Sequence, residues 1–179
     1  IEMLSMRRLA QSLNVEAMSL YHHVSSKSDL IGGMIEIVTP EIELPSKDVE
    51  WKDAMQKRAN SMRVVLEQHT WATQLFLSGV NVGPRMLKYV DSTVGYLLQA
   101  GFSHVLTDYA WNIIDSYIYG FTIQKQNFPF RPSEYQKVAT QYLPHLSHED
   151  FPHVYSMTAK VADGSHAGIQ DFDFGLNLI

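Results

Sequence analysis

Apolar residues recur along most of this chain at intervals of three and four, the period of helices with one buried face. Met6, Leu9, Ala10 and Leu13 mark a first helix over about residues 5–12. Leu13-Asn14-Val15 then reads as a tight turn, because the short polar side chain of Asn14 tolerates a left-handed backbone. A short helix is expected from Glu16 to Val24 and a third from Lys27 to Thr39. Ser26 and Asp29 stand at capping-box spacing ahead of that third helix. Gly32 and Gly33 weaken it by roughly 1 kcal/mol each relative to alanine. Pro40 and Pro45 bracket a connector, after which Trp51, Met55, Ala59, Met62, Val65 and Leu66 form the stripe of a long amphipathic helix. A shorter piece covers 69–79, and Pro84 opens a helix that Gly101 ends. Ser103 caps a helix running to about Gln126, and the sequence NFPFRP at 127–132 breaks it. Helical pieces follow near 133–142 and 148–162, then a loop at 164–168 and a last helix from about Ile169. No strand pattern or internal repeat emerges, so the expected fold class is all-α.

Two segments stand out. The helix at 103–126 is apolar around most of its circumference, which predicts burial on more than one side, within the subunit or against a partner chain. Its one polar stripe, Asp108, Asn112, Asp115 and Tyr119, is placed to line a cavity or to hydrogen-bond across an interface. At the other end, two short helices joined by a three-residue turn make a helix-turn-helix. Val15, Leu20 and Val24 are expected to face inward, leaving Ala17, Met18, Ser19, Tyr21, His22 and His23 largely outward. A helix of this size fits the major groove of DNA. Small residues at its start permit close approach, tyrosine and histidine suit phosphate oxygens, and Lys27 can pair with phosphate at the mouth of the next helix.

Composition narrows the classes. The 179 residues are 45% hydrophobic and 18% charged, enough for a substantial core, and the net charge of −5 argues against non-specific coating of nucleic acid. Residues 1–39 carry three basic and four acidic side chains, a net of −1, which counts against DNA binding by charge alone. Cysteine is absent, which excludes disulfides and thiolate metal sites and fits a reducing, cytoplasmic setting. No apolar run reaches membrane-spanning length, Asp108 and Asp115 interrupting the most apolar region. The chain opens on Ile1 and stops at Leu178-Ile179 within apolar patterns, so further residues are expected at both ends.

The stretch LSMRRLAQSLNVEAMSLYHHVSSKSDLIGGMIE, residues 4–36, resembles the TetR family of transcriptional regulators. The resemblance rests on Leu9-Ala10, on Leu20-Tyr21-His22-His23-Val24 ending the second helix, and on Lys27-Ser28-Asp29-Leu30 opening the third. Asn14 stands where the family usually has glycine, and the family's preceding helix is not in the sequence. The segments VGPRMLKYVDSTVGYLLQAGFS, DSYIYGFTIQ, NFPF and FDFGLNLI resemble the tetracycline-repressor-like branch of regulatory domains. The resemblance implies a helix-turn-helix DNA-binding domain with its linker helix at 1–45 and a larger helical ligand-binding and dimerisation domain at 46–179. It implies DNA contacts from Arg7, Ala17, Met18, Ser19, Tyr21, His22, His23 and Lys27. It also implies a dimer built as a four-helix bundle by two late helices, to which Ile114, Tyr117, Ile118, Phe121, Phe172, Phe174 and Leu176 are assigned.

For an effector pocket the candidates are Met55, Met62, Trp71, Phe76, Met86, Tyr89 and Trp111, since methionine and aromatic side chains make adaptable apolar walls, with Asp115 as the polar member. For any one of them core packing is an equal alternative. The neighbouring histidines at 22 and 23 point about 100° apart on a helix and are ill placed to share a metal. His145, His148, His153 and His166 form no pair on one helix face and read as solvated loop residues. No cofactor, metal or catalytic group is implied. The expected function is a dimeric repressor released from a double-stranded operator by a small, largely apolar effector. The rival is a helical small-molecule-binding protein or enzyme of the same fold that does not read DNA.

Overall fold

The computed structural model describes residues 4–46, 48–78, 83–168 and 171–179, and among them it contains helices and no strand. The order is α1 (Met6–Leu13), α2 (Ala17–Leu20), α3 (Lys27–Val38), α4 (Trp51–Gln68), α5 (Thr73–Leu77), α6 (Pro84–Gln99), α7 (His104–Asn127), α8 (Tyr135–Tyr142), α9 (Pro152–Ala162) and α10 (Phe172–Asn177), with single 3-10 turns between several of them. The chain divides into two compact units, residues 1–126 with 179, and residues 127–178.

Local chemistry explains the boundaries. Ser5 caps α1 by accepting from the Arg8 N–H at 3.2 Å. Asn14 ends α1 with φ 53°, in the left-handed region, and Val15 N–H closes back on the Ala10 carbonyl at 3.0 Å. That closure leaves Val15 exposed, not inward as its pattern predicts. The second helix is also shorter than expected. Beyond Leu20 the chain continues as turns, with Tyr21, His22 and His23 N–H groups each bonding three residues back. Ser26 accepts from Asp29 N–H at 3.0 Å, but the carboxylate of Asp29 returns to Ser25, on its N–H at 2.8 Å and its hydroxyl at 3.1 Å. The capping box is therefore shifted by one residue on its return arm. Gly101 takes φ 97° after α6, and Ser103 caps α7 through Leu106 N–H at 3.2 Å. The helix expected from 148 starts instead at Pro152, which lacks an N–H and fits only the first turn.

The core of the first unit is α4. Ala54, Met55, Ala59, Met62, Val65 and Leu66 are all buried, packed with Ile35 and Val38 of α3, Phe76 of α5, Tyr89 and Leu97 of α6 and Ile114 and Ile118 of α7. Arg58 lies on the same stripe with its side chain fully buried, and its Nη2 donates to Oδ1 of Asp115 on α7. The guanidinium carbon sits 4.4 Å from the centre of the Trp111 ring and 5.3 Å from that of Tyr89. At the far end of the two helices, Glu67 accepts from Arg63 at 2.8 Å and from Lys125 at 2.9 Å. Gln126 bridges the Leu66 carbonyl and the Thr73 hydroxyl, both at 3.0 Å. In α7 the buried residues are Thr107, Ile114, Asp115, Ile118 and Thr122. Val105, Leu106, Tyr109 and Ile113 are exposed, so this helix is buried on one side within the chain, not on most of its circumference.

In the second unit α8 and α9 pack as a hairpin. Phe128 stacks edge-on against Phe130 and Tyr135, and Gln136 donates to the Ala162 carbonyl at 3.3 Å.

Removing one member of a buried ion pair strands the other. Arg58→Met and Asp115→Leu should each cost about 3–5 kcal/mol of unfolding free energy, and the double variant should recover most of the loss. Urea denaturation of the four proteins measures this; additive losses would disprove the pairing. Partial burial works to raise the Glu67 carboxyl, but hydrogen bonds from Lys125 and Arg63 outweigh it and hold it below its ordinary value. Its stabilisation is thus complete above the ordinary carboxylate range and is lost as pH falls through the depressed folded value. Glu67→Gln should cost less than about 1 kcal/mol at pH 7, a difference that disappears in acid when denaturation is repeated there.

Candidate functional site

The head formed by α1, α2 and the start of α3 holds few buried side chains, Met6 and Ala10 on α1 among them. Arg7, Met18, Ser19, Tyr21, His22 and His23 are exposed, Met18 at 70%, while Ala17 and Lys27 are half-buried. All eight sequence-derived DNA-contact candidates therefore lie on the head, and none is pulled into the core. Met18, exposed on a one-turn helix, is accessible to another surface.

A cavity of about 650 Å³ opens within the first unit, between α3, α5, α6 and α7. Phe76, Met86, Tyr89, Trp111 and Asp115 line it, together with Ile35, Leu75, Leu87, Val90, Tyr119 and Ile123. Three sequence candidates are elsewhere. Met55 and Met62 are fully packed in the α4 core, where the Met62 sulfur accepts from the Tyr89 hydroxyl at 3.4 Å. Trp71 is half-buried with its ring 6.0 Å from that of His69, off the cavity wall. Met55 and Met62 follow the core-packing alternative because α4 lies behind the wall that Tyr89 and Trp111 provide.

The cavity wall is apolar except along α7, where Asn112, Asp115, Ser116 and Tyr119 face it at spacings of three and four residues. Asn112 also donates to Asp108, at 2.8 Å to the carbonyl and 3.1 Å to the carboxylate. Burial pushes the Asp115 carboxyl up from its ordinary value, against the pull of Arg58. Burial likewise raises the Tyr119 hydroxyl, helped by the charge of Asp115, so Tyr119 remains a neutral donor and acceptor. Arg58 keeps its charge, but its Nε and Nη1 have no hydrogen-bond partner and lie against the two rings. Arg58 is legible in hindsight: it stands three residues after Met55 and four before Met62, on the buried face.

The third helix, α3, is tied to the helix that walls the cavity. The Glu36 carboxylate, near the end of α3, accepts from the backbone N–H of Arg85 at 2.9 Å and of Met86 at 3.2 Å, at the start of α6. Arg85 returns a bond from its guanidinium to the Glu36 carbonyl at 3.1 Å. A carboxylate there meets the positive end of the α6 dipole as well as two free N–H groups. Gly83 makes the approach possible: a Cβ at this position would lie 2.4 Å from the Glu36 carboxylate. Ile35, the preceding residue, is itself on the cavity wall, as are Met86, Tyr89 and Val90 of α6. Sequence reading did not identify Glu36, since a lone acid on an amphipathic helix reads as solvated.

The assigned interface residues fall into two groups. Ile114 and Ile118 are buried inside the chain, as are Phe172 and Leu176, whereas Tyr117 and Phe121 are half-buried, with rings 6.0 Å apart, and Phe174 is exposed. Among the described residues no three histidine or acidic side chains gather as a metal site requires, and no described helix is long and apolar enough to cross a membrane.

Known proteins place these features together. The profile of the tetracyclin repressor-like C-terminal domain matches residues 44–179. An HTH-type transcriptional regulator of Saccharopolyspora erythraea is 32% identical over 121 residues, 67% of this chain and 51% of that protein. The chain spans about half the length of the curated relatives it matches. Among solved structures, the Streptomyces coelicolor TetR family protein ActR in complex with actinorhodin aligns over 99% of this chain and 85% of its own, with TM-score 0.75 and 23% identity, a likeness of fold. BioQ with its double-stranded DNA operator aligns over 72% of this chain and 79% of its own, with TM-score 0.60 and 28% identity. A helix-turn-helix head and a regulatory region matched along its whole length lead to one conclusion: the chain belongs to the TetR family of transcriptional regulators.

Proposed function

We propose that the protein is a ligand-responsive transcriptional repressor that binds a double-stranded operator as a homodimer and is released by a small, largely apolar effector. The observation that carries this reading is the Glu36 contact, which ties the linker helix α3 to the helix that walls the cavity. A molecule entering the cavity presses on α6 and on Ile35, and either displacement moves the grip on α3. The functional division falls near residue 45, with the reading head and linker before it and the sensor after it.

In a homodimer each head occupies one of two successive major grooves, about one turn of DNA apart. The exposed side chains Arg7, Met18, Ser19, Tyr21, His22 and His23, with Ala17 and Lys27 beside them, are the contact set. The exposed apolar residues Val105, Tyr109 and Ile113 support α7 as a partner-facing helix, with Tyr117, Phe121 and Phe174 adding accessible ring surface; Ile114 and Ile118 serve the subunit core. An effector that prefers the DNA-free form a hundredfold supplies about 2.7 kcal/mol of coupling, within the usual range for allosteric sites.

The weakly acidic head favours one second reading, a small-molecule-binding protein of this fold that leaves DNA alone. The test is operator selection from random duplexes followed by gel-shift titration. Tyr21→Ala and His23→Ala should each weaken binding about tenfold or more, 1.4 kcal/mol, with the dimer intact by sedimentation. Undiminished binding by both variants would remove the head from the interface, and failure to select any duplex would establish the second reading.

A further inference from the structure

The cavity that the preceding reading assigns to the effector has an uneven distribution of charge. Asp115 is the only charged side chain among the described residues lining it. Its partner Arg58 is not on the wall: the Arg58 side chain has 0% exposure against 11% for Asp115, and the rings of Tyr89 and Trp111 cover the guanidinium. The buried pair is neutral as a whole, but only its negative end meets the cavity. Arg58 supplies a single hydrogen bond to that carboxylate, from Nη2 to Oδ1. A carboxylate accepts several, so lone pairs of Asp115 are left for whatever enters.

Three consequences follow for an occupant. An anion would be set against Asp115. A cation would bring an uncompensated positive charge into a low-dielectric space where Arg58 already neutralises the carboxylate, at a desolvation cost that one hydrogen bond does not offset. A neutral molecule with an O–H donor meets neither penalty. The remaining wall selects the body of that molecule. Phe76, Tyr89, Trp111 and Tyr119 present ring surface and Met86 an adaptable thioether, a lining suited to flat aromatic systems. The volume of about 650 Å³ admits a molecule of two to four fused rings.

We infer that the cavity is built for a neutral, hydroxylated aromatic molecule whose O–H donates to Asp115 while its rings lie among Phe76, Tyr89, Trp111 and Tyr119. This inference rests on the reading of the cavity as the effector site and adds the chemical class. Tyr119 and Ser116, one turn and one residue along the same wall, supply hydroxyls for further polar substituents.

A matched series on one skeleton tests it: 9-anthracenemethanol, its methyl ether, 9-anthracenecarboxylate and 9-(aminomethyl)anthracene, titrated at pH 7 by calorimetry and anthracene fluorescence. The alcohol should bind about 10- to 100-fold more tightly than the ether, the range expected for a hydrogen bond to a charged acceptor, and more tightly than either ion. In the double variant Arg58→Met/Asp115→Leu, with its fold checked by circular dichroism, alcohol and ether should bind alike. Because the series is read first on the unaltered protein, the result does not depend on the variant folding. Equal binding of alcohol and ether, tightest binding by the amine or the carboxylate, or no binding by any of the four overturns the inference. Preference for the alcohol without any effect on operator binding would leave the inference standing and count against the repressor reading alone.

Discussion

One guanidinium, packed against two aromatic rings and tied to a single carboxylate, fixes the arrangement on which the cavity depends. Arg58 belongs to α4, Tyr89 to α6, and Trp111 and Asp115 to α7, so three helices meet at one charge. Taking that charge out of water is costly, and the cost is met only while all three helices hold their places. Cavities are intrinsically destabilising, because their walls lose packing partners. A frame that penalises collapse is a way to keep such a space open. The Glu67 and Gln126 contacts towards the C-terminal ends of α4 and α7 brace the same pair of helices with weaker, more exposed bonds.

The head follows a different economy. Its helices are short, its caps are serine side chains and the left-handed backbone of Asn14, and most of its larger apolar residues remain partly exposed. A surface that has to meet another molecule gains by keeping such residues free. Bases and acids nearly balance over the first 39 residues, so on the proposed reading shape, hydroxyls and the N–H groups at helix starts carry much of the positioning.

The helices were legible because their hydrophobic period is strong and their ends carry unambiguous chemistry: Asn14, Ser26, Pro84, Gly101 and Ser103 all act at the boundaries their types suggest. The cavity was half legible. Composition pointed to methionines and aromatics, but periodicity alone does not tell a wall from the core behind it, and Met55 and Met62 fell on the wrong side of that line. The polar stripe of α7 was visible as a stripe, and its meaning depended on Arg58, which is 57 residues away in sequence from Asp115. Long-range pairings of this kind leave no local trace beyond a charge at an apolar position. The same limit hid Glu36, whose partners are backbone groups and so have no sequence identity at all.

The vacancy left by the missing side chain of Gly83 has a consequence for how such a protein can be altered. One methyl group there would compete with the Glu36 carboxylate for the same volume. The displaced acid would find water readily, so on the proposed reading folding, small-molecule capture and duplex affinity all survive, and what is lost is the conversation between them. A surveyor measuring each activity alone would judge the altered molecule healthy, and only an assay combining both stimuli would reveal it deaf.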